Sequence, residues 1–133
     1  MTPLEVRDTI IGQINTNFSA CPVAWPNHKF DPDVDAPSGH WVRPNIIMSM
    51  STIGELGTTG LGFRQGVVKL QVFGPKGRES RTVWMNAGSL ETIFRRKVLS
   101  RIVFDEPSTT EVGADDEFYQ LAVDVGFTAF VNE

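Results

Sequence analysis

From residue 119 to residue 131 an apolar or aromatic side chain occupies every second position: Tyr119, Leu121, Val123, Val125, Phe127, Ala129 and Val131. A period of two held that long fits a β-strand, whose side chains alternate between two faces, and excludes a helix, whose stripe repeats every 3.6 residues. A strand of that length must pair its backbone groups with neighbours and bury its apolar face under another layer. The chain therefore has to supply more strands and something amphipathic to lie on them.

It supplies both. Residues 67–73 alternate Val68, Leu70 and Val72 with Lys69 and Gln71, and residues 41–50 place Val42, Ile46, Met48 and Met50 on one face. Pro44 marks part of that second run as an edge or a bulge, because it cannot donate to a ladder. The first helix is announced by Thr2 as N-cap, Pro3 at the first helical position and Glu5 as capping-box carboxylate. Leu4, Ile11, Ile14 and Phe18, widened by Ile10, form its predicted buried stripe, with Arg7, Asp8, Gln13 and Asn17 outward. Pro22 predicts its end near residues 19–21. A second helix is predicted over residues 80–97 from Val83, Ala87, Leu90, Ile93 and Phe94, with Arg95, Arg96 and Lys97 complementing the dipole in its last turn.

Between these elements, residues 26–39 are rich in proline and aspartate and read as an irregular surface connection. Residues 51–66 hold five glycines between two strand-like runs and read as a long, mobile hairpin loop. Residues 102–104 and 111–112 are predicted short strands, separated by a turn at Pro107. The sum is a single α+β domain over residues 1–133, a mostly antiparallel sheet with two helices packed on one face. At 133 residues such a domain buries a real core without disulfides or a structural metal.

Chemistry-bearing residues are scarce. Cys21 is the lone cysteine and His28 and His40 are the two histidines, too few and too scattered for a zinc site. Asp31, Asp33 and Asp35 imitate the start of a calcium loop, but Ala36 and Val42 stand where such a loop needs glycine and glutamate. Gly57, Gly60 and Gly62 lead into a strand rather than a helix N-terminus, so they do not cradle phosphate. Gly74 to Ser80 lacks the Gly-Lys-Ser/Thr ending of a P-loop, and Ser38-Gly39-His40 supplies no strand-to-helix elbow. The expectation is no catalytic residue, no metal and no cofactor, hence no enzyme; a small enzyme using Cys21 with His28 or His40 is the alternative of another class. No apolar run reaches the ~20 residues that span a bilayer and the N-terminus does not look like a secretory signal, so a protein of the reducing cytoplasm is expected.

Charge is scarce in total and uneven in placement. The formal net charge is −4, yet residues 64–101 hold nine basic against two acidic side chains, and residues 102–133 hold eight acidic and no Lys or Arg. An acidic total of this kind argues against a uniform nucleic-acid footprint. The segregation suits a subunit whose positive surface meets a negative surface on another copy.

Several stretches, in order, resemble a known family. They are the amphipathic first helix followed by Pro22-Val23-Ala24-Trp25-Pro26-Asn27, the strand with Trp41-Val42-Arg43, and the Gly-rich loop. Next come Arg64-Gln65-Gly66-Val67-Val68-Lys69-Leu70-Gln71-Val72-Phe73-Gly74-Pro75, a helix ending in Ile93-Phe94, and Phe118-Tyr119 entering the last strand. Together they resemble the tail terminator proteins of long-tailed bacteriophages, in particular the small phage-related proteins with a tail-terminator-like domain. The resemblance implies an α+β virion structural protein without enzyme activity or cofactor. It implies a homo-oligomeric ring, commonly a hexamer, at the head-proximal end of the tail tube, where it stops polymerisation and offers the head-joining surface. The implied partners are other copies of the chain, the tail tube protein and the head-tail connector, with DNA passing only transiently through the lumen and no membrane. The implied location is the host cytoplasm during assembly and then the virion tail. A neck or head-tail connector protein of a phage or prophage is the alternative within the same class.

The family brings no fixed set of functional residues, so the candidate assembly interface comes from the charges of this chain. A ring uses heterologous contacts, in which two different patches meet. Glu55, Arg64, Lys69, Arg95, Arg96, Lys97, Asp115, Asp116 and Glu117 are the residues expected to carry it. The Gly-rich loop is expected to order against a neighbour, the tube or the connector, and Arg64 beside it to face DNA in the lumen.

Overall fold

The computed structural model describes residues 2–53, 62–77, 80–115 and 117–130. The alternating segment becomes β6 (Phe118–Phe130) and sits centrally in a six-stranded antiparallel sheet. On one side it pairs along its whole length with β2 (Gly62–Pro75), from Phe63 opposite Phe130 to Pro75 opposite Phe118. On the other side β4 (Ile102–Phe104) and β5 (Ser108–Ala114) lie end to end against it. Between them Asp105 donates its N–H to the Gly126 carbonyl at 2.8 Å, and its carboxylate occupies the space beside Gly126 that a Cβ would enter. β1 (Trp41–Ile53) pairs with β2 at one edge, and β3 (Val98–Leu99) pairs with β4 at the other.

Both edge predictions were too short. β5 runs from Ser108 to Ala114 rather than over residues 111–112, because its Thr109, Thr110 and Glu111 carry little apolar signal to read. β1 reaches Ile53 and β2 begins at Gly62, so part of the expected hairpin loop is strand; residues 54–61 lie outside the described residues.

α1 (Pro3–Asn17) is capped as expected, with the Glu5 N–H donating to the Thr2 hydroxyl at 3.2 Å. Its buried stripe keeps Ile10, Ile14 and Phe18 of the expected set and adds Val6, at a constant spacing of four, while Leu4 is 62% exposed and Ile11 half-buried. The apolar residues of this helix span nearly half its circumference, so periodicity alone left the docking angle open. α3 (Arg81–Phe94) buries Val83, Ala87, Leu90 and Phe94 on the same sheet face. It stops at Phe94, short of the predicted residue 97. Arg95 is the C-cap in extended conformation, and Arg96 and Ser100 adopt positive φ of 55° each to fold the chain into the β3–β4 hairpin. The basic trio therefore lies beyond the helix, not in its last turn.

The connection over residues 26–39 is not wholly irregular. It contains α2 (Pro32–Asp35), in which the Asp31 carboxylate accepts from the Asp33 N–H and Asp35 accepts from the Asp31 N–H. The alternate aspartates are local caps. The residues just before this connection, 22–24, line the edge of β1, where Ala24 donates to the Val42 carbonyl at 2.7 Å and Val42 donates to the Pro22 carbonyl at 3.0 Å. The connection itself reaches the sheet face opposite the helices, where its Phe30 and, from β6, Phe118 pack against Trp41 and Phe73. Trp41 stacks on Phe73 at 4.1 Å between centroids, and the Arg43 guanidinium stands 5.2 Å from both rings. Such aromatic and cation–π contacts add about 0.5–1.5 kcal/mol each beyond the area they bury.

Candidate assembly surface

Two of the charged groups separate along the strand direction, while Lys76 and Arg81 stay at the end that carries Asp115. α3 starts beside the Pro75–Phe118 end of the sheet and delivers Arg95, Arg96 and Lys97 near the other end, where Phe130 donates its N–H to the Arg101 carbonyl. The β5–β6 hairpin returns Asp115 and Glu117 to the Pro75 end. The Lys97 carbonyl accepts from Phe104, which is opposite Phe127, so at about 3.3 Å per residue Lys97 stands roughly 30 Å along the sheet from Phe118 and the acidic hairpin. Only a second molecule can bring them together.

Within each group the residues are not equivalent. Arg95 is engaged inside its own chain, with the Glu91 carboxylate at 2.8 Å and the Glu106 carboxylate at 2.9 Å. Arg96 and Lys97 are exposed. The Asp115 carboxylate accepts the N–H groups of Phe118 at 2.7 Å and Glu117 at 2.8 Å, which closes the hairpin and lowers its pKa below the usual carboxylate value. Asp115 thus has a local structural role, whereas Glu117 is exposed. Glu55 and Asp116 lie outside the described residues.

Arg64 and Lys69 are both on β2: Arg64, opposite Ala129 and Ser51, stands at the same end of the sheet as the basic segment, whereas Lys69, between Asn45 and Asp124, lies midway. Lys69 lies on the sheet face away from the helices, the face that also carries exposed Ile47, Val67, Val103 and Phe130. Ile47 and Val67 are cross-strand neighbours there.

Sequence reasoning missed a cleft of about 680 Å³ between α1 and the open edge of β1, walled by Leu4, Ile11, Trp25, Ile46 and Met48. Its signal was present but misassigned, since Leu4 was read as core. Cys21 is half-buried and receives the Asn86 amide at 3.8 Å; burial pushes its thiol up to about 11, so it is neutral near pH 7 and a poor nucleophile. Among the described residues no three His, Cys, Asp or Glu side chains are grouped to hold a metal, and no helix is long and apolar enough to cross a membrane.

No family model matches the chain, and no curated protein matches it. Thirteen chains of solved structures do. One of them aligns over 92% of this chain and 94% of its own with a TM-score of 0.69 and 23% identity. At that identity the likeness establishes the fold.

Proposed function

We propose that this chain is a structural subunit of a long-tailed phage, a tail terminator that closes into a ring on the tail tube, stops its polymerisation and provides the surface that joins the head. The supporting observation is an unequal distribution of charge: one end of the sheet exposes Arg96 and Lys97, whereas the other mixes Glu117 and Asp115 with exposed Lys76 and Arg81. A terminator ring needs two unlike faces, one for the tube and one for the connector, and a subunit with one basic end and one end of mixed charge provides them. The α+β fold agrees with what the resemblance implies, although fold alone does not assign a role. The neutral thiol of Cys21 gives no support to the Cys/His enzyme reading. Ring assembly takes place in the host cytoplasm, and the ring then stays at the head-proximal end of the virion tail.

The test is assembly. The purified chain is expected to form a ring, commonly a hexamer, in solution or on purified tail tubes, and to halt their growth. Deleting the gene is expected to yield overlong tails. Tails of normal length without heads would move the protein to the neck, and a chain that binds no tail component would overturn the reading.

A further inference from the structure

The sheet ends in two open strand edges, one on each side. On β1, Val42 directs both its N–H and its C=O away from β2, to residues 22 and 24. By the two-residue period the next outward backbone groups are those of Pro44, Ile46 and Met48, and no described strand pairs with them. On the far side, Gly126 of β6 accepts from Asp105 and Phe118 accepts from Asp115, so the even-numbered residues of β6 bond toward β4 and β5. Thr110, opposite Ala122, then faces inward, and Thr109 and Glu111 direct their backbone groups outward. β3 covers β4 alone. Open edges of this kind are templates for another strand.

We propose that β5 of a second copy adds to the open edge of β1, so that neighbouring subunits share one continuous antiparallel sheet. The inference deepens the ring reading, on which it rests, by naming the contact that closes the ring. Direction supports it. At the level of β5 the sheet has four columns, β1, β2, β6 and β5, alternating in direction, with β3 a fifth only beside β4, so a copy rotated about an axis along the strands presents β5 antiparallel to β1. Register supports it as well. Through Val123 and Leu70, Thr109 is level with Pro44 in its own subunit. Unshifted, β5 would meet a proline without an N–H and the edge of Val42 already taken by residues 22–24. A slide of four residues, about 13 Å, places Thr109 opposite Met48 and Glu111 opposite Ile46, where donors and acceptors face each other. Across four strands at roughly 4.8 Å spacing, that slide tilts the strands by about 35°, a typical value for a closed sheet.

The pairing rests on backbone groups rather than charge: Arg43 stands over Trp41 and Phe73 on the face away from the helices, and Glu111 accepts from the Tyr119 hydroxyl on the helix face. Val112, 58% exposed, gains apolar cover, and the cleft beside α1 leaves room along the receiving edge.

The experiment compares amide hydrogen exchange in the assembled and dissociated full-length chain. Exchange at Ile46, Met48, Thr109 and Glu111 is expected to slow at least about tenfold on assembly, with Asn45 and Thr110, already facing inward, little changed. Ile46→Pro removes only an outward N–H and should raise the dissociation constant of assembly about tenfold or more, while Ile46→Ala should not. Assembly with unchanged exchange at those four amides overturns the strand pairing and leaves the ring reading standing. If Ile46→Pro misfolds, the exchange comparison decides. Protection of Ile46 and Met48 only on adding tube protein would assign the edge to that protein and overturn pairing between copies. A chain that stays monomeric with and without tail tubes overturns both.

Discussion

Gly66 and Gly88 separate two roles of one residue type. A Cβ on Gly66 would lie 2.3 Å from the Ile47 carbonyl and 2.7 Å from the Phe127 ring, and a backbone oxygen inside a ladder cannot withdraw. Gly66→Ala is expected to cost about 2 kcal/mol, read as a lower thermal midpoint. Nothing stands within 4 Å of a Cβ at Gly88 or Gly12, both in exposed helix positions, so alanine at either is expected to stabilise by up to about 1 kcal/mol. Titration effects belong to this scale too. Asp115 has its pKa lowered by two backbone N–H groups, so its contribution is present above the unfolded value of 3.8 and is lost as pH falls through the lower folded value. Asp115→Ala should therefore lower the thermal midpoint at neutral pH more than at pH 2. Cys21 is shifted the other way, from 9.0 to about 11, so its contribution is present below pH 9 and is lost as pH rises through 11. A thiol reagent at pH 8 is expected to react slowly with the native chain and fully in denaturant.

At the scale of elements, α3 holds the sheet most firmly, because Leu90 and Phe94 are fully buried against β6 and Phe104. Phe94→Ala is expected to cost about 3–5 kcal/mol in denaturant unfolding, whereas Met85→Ala on the exposed side should stay within about 0.5 kcal/mol. The alternation of β6 and β2, the cap of α1 and the apolar period of α3 were legible because each is a local pattern with one dominant period. The end of α3 was not. Lys and Arg favour a helix C-terminus, but here Arg95 bonds to Glu91 and Glu106, and that pairing with the following β3–β4 hairpin turns the chain after Phe94. The short α2 escaped notice because its caps come from Asp31 and Asp35, the residues that made the segment look like loop.

For the whole molecule, folding keeps only part of the charge segregation seen along the chain: Arg96 and Lys97 stay apart from the Asp115–Glu117 hairpin, but Lys76 and Arg81 return beside that hairpin and Glu106 binds Arg95. If the ring axis runs along the strands, the two ends of the sheet face the tube and the connector, and charge reversal at Arg96 and Lys97 should weaken joining at low salt while leaving the ring intact. Ile46→Pro should do the opposite, so sedimentation of the ring and capping of tubes distinguish the two surfaces. The sequence by itself determined the α+β class, the central strand, the two long helices and the imbalance of charge, because each depends on neighbours within a few turns or strand residues. Only the tertiary structure decided that Leu4 walls a cleft, that Arg95 is engaged while Arg96 and Lys97 are exposed, and which strand edges are open. Those depend on which distant segments meet: residues 22–24 cover one part of β1, β3 covers β4 but not β5, and no local pattern records either pairing.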